Sequence, residues 1–244
     1  MTGLTELCDA KRILILSGAG LSTGAGIPDF RGPQGLWTKD PLAERISTLS
    51  WYLNDTEVRK KAWQYRAGSP IWEAKPTQAH HAIVELEQQG RLLGIVTQNT
   101  DGLHQLAGSS PELVHEVHGS ARTWRCENCG ATGPMVEMVE RVRAGEEDPR
   151  CGCGGITRAT TILFEEILDP DVLDAAVSCA ENCDAIVAVG TGLGVHPVAG
   201  LFPYAIGHGA LGVIVNGEAT AYDHLAHRVI RGEIQEELPH LLRG

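Results

Sequence analysis

Four short, mainly apolar runs recur along the chain, and glycines or polar residues flank each of them. The runs cover residues 13–16, 93–97, 185–189 and 211–215. Runs of this length are typical of strands that are buried on both faces of a parallel sheet. Between them, residues 77–89 place apolar side chains at helical spacing, and residues 169–179 begin with an Asp-Pro pair that suits a helix start. Strands that alternate with helices predict an α/β fold, which binds ligands beyond the carboxyl ends of its strands.

Two segments interrupt this alternation. Residues 33–75 hold four of the five tryptophans and no clear strand, so we expect a small helical layer there. Residues 120–160 hold four cysteines and little apolar periodicity.

The four cysteines have the spacing of a metal site. Cys126 and Cys129 form a CxxC pair, and Cys151 and Cys153 form a CxC pair after a further 21 residues. Two thiol pairs on glycine-rich turns predict one tetrahedral zinc ion with a closed, structural coordination shell. Unmetallated thiols or a disulfide are the alternative. The remaining three cysteines are predicted to be buried packing residues: Cys8, Cys179 and Cys183.

Composition disfavours several classes of function. The formal net charge of -11, with no basic run, argues against a nucleic-acid surface. No stretch approaches the roughly 18 apolar residues of a membrane span. The first residues lack a secretory signal pattern, and seven cysteines are too few and too unevenly placed for a secreted disulfide scaffold. We therefore expect a cytoplasmic protein that binds neither nucleic acid nor membrane.

The loops after the predicted strands carry glycines and polar side chains. After the first strand, Gly18, Ala19 and Gly20 begin a GxGxxxG pattern that can bring backbone N–H groups close to a phosphate. A tight turn without a ligand is the alternative. No clear acidic residue ends a second strand about 20 residues later, which disfavours a standard dehydrogenase.

Three further loops strengthen the case for a ligand at this edge. They contain Gln98, Asn99 and Asp101; Gly190, Thr191 and Gly192; and Asn216, Gly217 and Glu218. In addition, the segment LVHEVH alternates apolar and polar residues and places His118 at a strand end, where a general base could act. His104, His115 and His196 are weaker candidates, because each is as readily explained by a hydrogen-bonded structural histidine.

Together these motifs resemble sirtuins of the bacterial type. The chain contains GAGLSTGAGIPDFRG, TQNTD, the His118-Gly119 pair, the four cysteines, GTGLGVHP and VNGE in the order found in that family. The resemblance implies NAD-dependent removal of acyl groups from protein lysine, with release of nicotinamide and O-acyl-ADP-ribose. It also implies a Rossmann-like domain, formed by residues 1–32, 76–119 and 161–244. A helical module (33–75) and a zinc module (120–160) would form a smaller domain.

The resemblance also implies roles for individual residues. His118 would be the base that acts on a ribose hydroxyl. The NAD-binding residues would be Gly18, Ala19, Gly20, Asp29, Phe30, Arg31, Trp37, Gln98, Asn99, Asp101, Gly190, Thr191, Gly192, Asn216, Gly217, Glu218 and Ile234. Among them, Phe30 would shield the reaction from water, and Ile234 would touch the adenine. The acyl-lysine peptide would pair as an added strand with Phe164, Glu165 and Val195.

Four positions depart from the usual family pattern. Gly192 replaces serine, Glu165 replaces the glycine of FGE, Thr100 replaces isoleucine and Thr77 replaces asparagine. These changes leave the turnover rate and the acyl preference open. Family members that prefer succinyl or malonyl groups carry Tyr-x-x-Arg in the helical module, and here Trp63 stands in place of the tyrosine before Arg66. An acetyl preference is therefore predicted.

Two other functions remain open at the level of sequence. A mono-ADP-ribosyltransferase would share every NAD-binding residue. A zinc-bearing NAD sensor without catalysis would share the loops but would not need His118.

Overall fold

The computed structural model describes residues 7–28 and 41–243. Within these residues, nine strands form two sheets. They are β1 Ile13–Ser17, β2 Leu92–Thr97, β3 Val114–Glu116, β4 Thr123–Cys126, β5 Thr132–Pro134, β6 Thr157–Ala159, β7 Ala185–Val189, β8 Leu211–Val215 and β9 Arg228–Ile230. Six of them make a parallel sheet in the order β3-β2-β1-β7-β8-β9, and the other three make an antiparallel sheet in the order β5-β4-β6. The predicted α/β fold class is confirmed.

The strand order creates a switch point at the centre of the large sheet. From β1 the chain builds outward through β2 and β3, and later returns to build β7, β8 and β9 on the other side. Ser17 pairs with both Thr97 and Val189, and Val189 pairs with Val215, so four strands end in one row. Ligands of open α/β sheets bind at such a point.

Helices cover both faces of this sheet, which explains why its central strands are apolar throughout. Ile13 and Ile15 face a core formed with helices Gln78–Gln88 and Ile234–Arg243. Leu14 and Leu16 face the opposite core, formed with helices Pro170–Asn182 and Leu201–Gly207. Successive strand residues point to opposite faces, so a fully apolar strand requires two covered faces.

The small modules share a single apolar core. The helical segment contains helices Pro41–Ile46, Leu49–Asn54 and Thr56–Ala67, and the cysteine-bearing segment contains helix Met135–Arg143 beside the antiparallel sheet. Trp63 is fully buried against Met135, Met138, Val139 and Ala159. Outside these modules, the short helix Leu103–Ala107 is the first helix after β2.

Two details correct or complete the sequence expectations. Cys183 is buried and Cys179 is half-buried, but Cys8 is exposed, so the packing prediction was wrong for Cys8 because it lies in a short surface turn. No helix in the described part of the chain has the length and apolar character needed to cross a bilayer.

Candidate functional site at the carboxyl edge of the sheet

Close backbone contacts between loops form the floor of the site. The Gly18 N–H donates to Val189 O at 3.0 Å, and the Gly20 N–H donates to Gly190 O at 2.9 Å. Gly190 has φ +63°, and a Cβ there would lie 2.3 Å from Leu21 N. Glycine is therefore required for the first loop to lie against the loop after β7.

The chain after Gly18 does not enter a long helix. It forms two short 3-10 turns, Ala19–Leu21 and Thr23–Ala25. A standard dinucleotide fingerprint opens a helix at this point. The structure thus agrees with the sequence argument against a standard dehydrogenase.

A buried polar network joins this loop to the loop after β2. The Asn99 amide donates to Gly18 O at 3.0 Å and to Ser22 Oγ at 3.2 Å. Ser22 in turn donates to an Asp101 carboxylate oxygen at 2.7 Å, and the other oxygen of Asp101 accepts from the Leu103 N–H at 2.9 Å. These three polar side chains are buried. The contacts give Asn99 and Asp101 one fixed arrangement at the switch point.

His118 lies beside this network in a defined tautomer. Its Nδ1 is 3.0 Å from the backbone carbonyl oxygen of Gln98. A carbonyl only accepts, so Nδ1 carries the proton, and in the neutral ring Nε2 has the lone pair that a general base needs. The Gln98 side chain extends to Thr191, donating to its Oγ1 at 3.0 Å. Residues from three of the four predicted loops therefore converge.

The other histidine candidates have structural surroundings. His104 is fully buried, and burial lowers its pKa to about 3. His115 is half-buried at the sheet edge, 3.7 Å from Cys179 Sγ, and burial lowers its pKa as well. His196 is exposed.

Three residues of the site carried no clear signal in sequence. Ser22 could have been suspected because it lies inside the glycine-rich loop. Burial raises the pKa of the Glu116 carboxyl to about 7, with Asp101 adding to the rise and Arg122 opposing it. Arg122 donates to Asp101 O at 2.5 Å and to Ile71 O at 3.0 Å, which ties the site to the helical segment. The sequence around Arg122 shows no pattern that would indicate this role.

The loops after β8 and β9 have mixed exposure. Asn216 donates to Glu218 O at 2.9 Å, and Arg231 donates to Asn216 O at 2.8 Å. Gly217 and Glu218 are exposed, whereas Ile234 is buried in the core beneath the sheet. An adenine contact by Ile234 stays a prediction.

The predicted substrate residues lie on two separate loops. Phe164 is exposed, and its N–H donates to Ser47 O at 2.8 Å. The Glu165 carboxylate accepts hydrogen bonds from Ser50. Val195 is half-buried, and its carbonyl accepts from the Ala199 N–H at 2.9 Å. Four further predicted residues lie outside the described residues: Asp29, Phe30, Arg31 and Trp37.

The four cysteines form a compact cluster in the small domain. Their sulfur atoms all lie within 4.8 Å of one another, with Cys126 and Cys153 3.6 Å apart and Cys129 and Cys151 3.7 Å apart. A disulfide needs about 2.05 Å, so these pairs are not bridged. Zinc–sulfur bonds of about 2.3 Å in a tetrahedron place sulfurs roughly 3.8 Å apart. The donor set and its spacing therefore fit one zinc ion.

Comparison with known proteins shows which family shares this sequence. A sequence model described as the Sir2 family matches residues 18–197. NAD-dependent protein deacetylase 2 of Streptomyces coelicolor is 50% identical over 233 residues, which is 95% of this chain and 97% of that protein. NAD-dependent protein deacetylase 1 of Pyrobaculum aerophilum is 41% identical, over 93% of this chain and 87% of that protein.

Solved structures agree with the sequence comparison. A Sir2 enzyme structure that concerns mechanism and regulation superposes with a TM-score of 0.87 and 37% identity, over 97% of this chain and 93% of that one. Another, of Sir2 with a deacetylated p53 peptide and 3′-O-acetyl-ADP-ribose, gives 0.88 and 28%, over 97% and 94%. Fold and site thus define an α/β nucleotide-binding protein with a four-cysteine metal module. Within that class, the chain belongs to the Sir2 family.

Proposed function

We propose that this protein removes acetyl groups from protein lysine side chains and consumes NAD, releasing nicotinamide and O-acetyl-ADP-ribose. The observation that carries the proposal is the tautomer of His118, whose Nδ1–H is fixed by the Gln98 carbonyl beside the Asn99–Ser22–Asp101 network. The deacetylase names of the similar proteins support the same reaction.

The open part of the site fits a nucleotide. A Cβ placed on Gly192 or Gly217 would meet no atom within 4 Å, so the loops after β7 and β8 leave room above the sheet edge. The loops after β1 and β2 add an amide, a hydroxyl and a carboxylate that are buried and already oriented. Such groups suit ribose hydroxyls and a carboxamide.

Each part of the site would have its own task. NAD, when bound, would supply the ribose carbon that receives the acyl oxygen, with nicotinamide as its leaving group. His118 Nε2 would take a proton from a ribose hydroxyl, and the Gln98 carbonyl would steady the charged ring. Asn99 and Asp101 would orient the nicotinamide and its ribose, since their own side chains cannot rotate without breaking the buried network.

The acyl-lysine peptide would bind between the loop at 163–166 and the loop at 193–195. An extended peptide can add as a strand to such edges through backbone hydrogen bonds, so affinity would depend little on the side chains that flank the lysine. We also propose the division of the chain inferred from sequence. Residues 1–32, 76–119 and 161–244 would bind NAD, and residues 33–75 and 120–160 would form the smaller domain.

One experiment separates the proposal from its two alternatives. The protein is incubated with NAD labelled in its adenylate half, with and without an acetyl-lysine peptide. Deacetylation predicts that all label becomes a small acetylated product, and only when peptide is present. Label that stays on protein would favour a mono-ADP-ribosyltransferase, and label that remains in intact NAD would favour a binding protein without catalysis.

A further inference from the structure

The segment at residues 163–166 carries two adjacent glutamates that attach it to different parts of the small domain. Glu165 bonds to Ser50, in the first turn of helix Leu49–Asn54. Glu166 bonds to Arg125 and Arg158 of the antiparallel sheet. The segment therefore spans the helical and cysteine-bearing modules.

Glu165 adopts a backbone conformation that favours glycine. Its φ angle is +78°, in the left-handed region, where a side chain crowds the following carbonyl. The usual family pattern has glycine at this position, so this chain accepts strain that glycine would avoid. A side chain held at such a position is expected to have compensating contacts.

The compensating contacts are two hydrogen bonds to one residue. The Glu165 carboxylate accepts from the Ser50 N–H at 2.9 Å and from Ser50 Oγ at 2.9 Å. The first N–H groups of a helix have no partner within the helix, and an ionised acceptor suits them. Thr48, at the N-cap position, does not supply one, because its hydroxyl donates to Glu44 O at 2.8 Å. Glu165 thus caps the helix from another segment.

Backbone pairing aligns the two segments for this contact. The Phe164 N–H donates to Ser47 O at 2.8 Å, and Phe164 O accepts from the Leu49 N–H at 3.2 Å. These two bonds form an isolated parallel bridge between Thr48 and Phe164. The bridge places Glu165 beside the start of helix Leu49–Asn54, where its side chain accepts from the Ser50 N–H.

Glu166 fixes the other end of the segment independently. It accepts from Arg125 at 3.1 Å, from the buried Arg158 and from the Leu163 N–H at 2.8 Å. Arg158 also donates to Glu127, between two of the clustered cysteines, at 2.9 Å. Loss of the Glu165 contact would therefore loosen the Phe164 end while the Glu166 end stays attached.

We propose that Glu165 is a positioning residue for the acyl-lysine peptide: its bonds to Ser50 hold Phe164 and Glu165 in the conformation that receives the substrate strand. The inference rests on the proposed function. It means that the glutamate at position 165, in place of the usual glycine, affects peptide binding and not the chemical step.

The test compares Glu165→Ala, Glu165→Gln and Glu165→Gly, with Glu181→Ala on an exposed helix face as the matched control. Alanine keeps the strain and loses both bonds, so the peptide KM should rise roughly tenfold, with kcat and the NAD KM within about twofold of wild type. Glutamine can still accept from Ser50, so its peptide KM should stay within about threefold of wild type. Glycine relieves the strain, so the peptide KM of Glu165→Gly should fall between those of Glu165→Ala and Glu165→Gln.

Amide hydrogen exchange supplies a readout that needs no substrate. Exchange at the Phe164 N–H should be faster in Glu165→Ala than in wild type, and unchanged in Glu181→Ala. If the alanine variant does not fold, Ser50→Ala replaces it, with a peptide KM about threefold above wild type because one of two bonds is lost.

Two results would overturn the inference while the proposed function stands. In the first, the wild type is active and the peptide KM of Glu165→Ala lies within about twofold of the wild-type value. The other is an equal rise in the peptide and NAD KM values, which would indicate a general structural role. A wild type that does not act on acetyl-lysine would overturn the proposed function, and the substrate role of Glu165 with it.

Discussion

At the scale of single residues, the role of His118 depends on one carbonyl. The Gln98 carbonyl follows directly from the end of β2, where parallel pairing with β1 fixes the backbone. His118 itself follows β3, the neighbouring strand in the same sheet. The contact between imidazole and carbonyl is thus built by strand pairing, and it sets both the tautomer and the direction of the ring.

We predict that His118→Ala loses deacetylation while NAD binding is retained. Loss of a general base typically lowers the rate by about 10² to 10⁴. The measurements are kcat with an acetyl-lysine peptide and NAD affinity by calorimetry. His240→Ala, on an exposed part of helix Ile234–Arg243, is the control and should match wild type. Near-normal turnover by His118→Ala would remove His118 from the mechanism.

Acyl preference is a second question at the residue scale. Trp63 is fully buried in the small-domain core, and its indole N–H has no hydrogen-bond partner among the described residues. The Arg66 guanidinium lies 5.0 Å from the Trp63 ring centre. A tryptophan packed in this way adds bulk and offers no phenol oxygen for binding a distal carboxylate.

We predict that the protein prefers acetyl-lysine to succinyl-lysine. The measurement is kcat/KM on matched acetyl and succinyl peptides for wild type and Trp63→Tyr, with Trp63→Phe as the control that lacks a hydroxyl. Tyrosine should improve the succinyl peptide relative to the acetyl peptide, and phenylalanine should not. A wild type that already favours succinyl would show that Arg66 suffices.

The individual contacts of the site illustrate what sequence could and could not predict. Gly190 and Gly18 were predictable as loop residues, because glycines that directly follow an apolar strand are typical of a tight loop with close backbone contacts. Arg122 was not, because its partners Asp101 and Ile71 are distant in sequence and its neighbours show no pattern. Long-range hydrogen bonds to backbone carbonyls produce no periodic pattern in the amino-acid sequence.

At the scale of elements, buried hydrogen bonds and one ring contact connect helix Gln78–Gln88 to the carboxyl end of β1. The Thr77 N–H donates to His80 Nδ1 at 3.3 Å, so His80 carries its proton on Nε2. Ser17 donates to Thr97 at 2.8 Å and therefore accepts from His104 Nε2 at 2.9 Å. The two rings meet edge to face with centres 5.0 Å apart. His80 must be neutral to accept from Thr77, and burial lowers the pKa of both histidines, which favours two neutral rings.

This network predicts a loss of stability in acid. Burial lowers the pKa of His80 from 6.5 to about 4. A lowered folded-state pKa means that the unfolded chain binds the proton first, so stability is complete above pH 6.5 and falls as the pH drops toward 4. His80 alone should lower the free energy of unfolding by about 2 kcal/mol between pH 7.5 and pH 5.

The measurement is urea unfolding of wild type, His80→Asn and the exposed control His240→Asn across this pH range. The first variant should be less stable at pH 7.5 but should lose less stability on acidification, because asparagine does not titrate. The control should follow the wild-type slope. Equal slopes for wild type and His80→Asn would contradict the neutral pair.

The predictability of the elements follows their burial. The strands β1, β2, β7 and β8 were predicted within a residue or two because both their faces are covered, which requires continuous apolar side chains. The edge strand β9 was missed, since Arg228 and Val229 are exposed and carry no apolar run. The start of helix Pro170–Asn182 was predicted correctly because Asp169 is its N-cap. The Asp169 carboxylate accepts from the N–H groups of Asp171 and Val172.

At the scale of the whole molecule, the cysteine cluster organises the smaller domain. Its antiparallel sheet has three short strands, and the apolar core beside it is small. Gly155 packs so closely against the cluster that a Cβ there would lie 2.6 Å from Cys126 Sγ. A fold with so little apolar area needs the metal as part of its structure.

We predict that Cys126→Ser releases zinc and lowers the thermal stability of the protein, whereas Cys8→Ser, outside the cluster and exposed, changes neither. Metal binding is coupled to folding in such sites, so a strong chelator should have the same effect on wild type. The measurements are elemental analysis and thermal unfolding. Purified protein that is folded and active without zinc would show the prediction to be wrong.

Removal of an acetyl group from lysine with consumption of NAD can be tested by its products. The most direct measurement is a mass-spectrometric count of products from purified protein, NAD and an acetyl-lysine peptide. We expect nicotinamide, O-acetyl-ADP-ribose and free-lysine peptide in equal amounts, and none of them when NAD or the acetyl group is left out. Nicotinamide released without peptide, or free-lysine peptide formed without NAD, would contradict it.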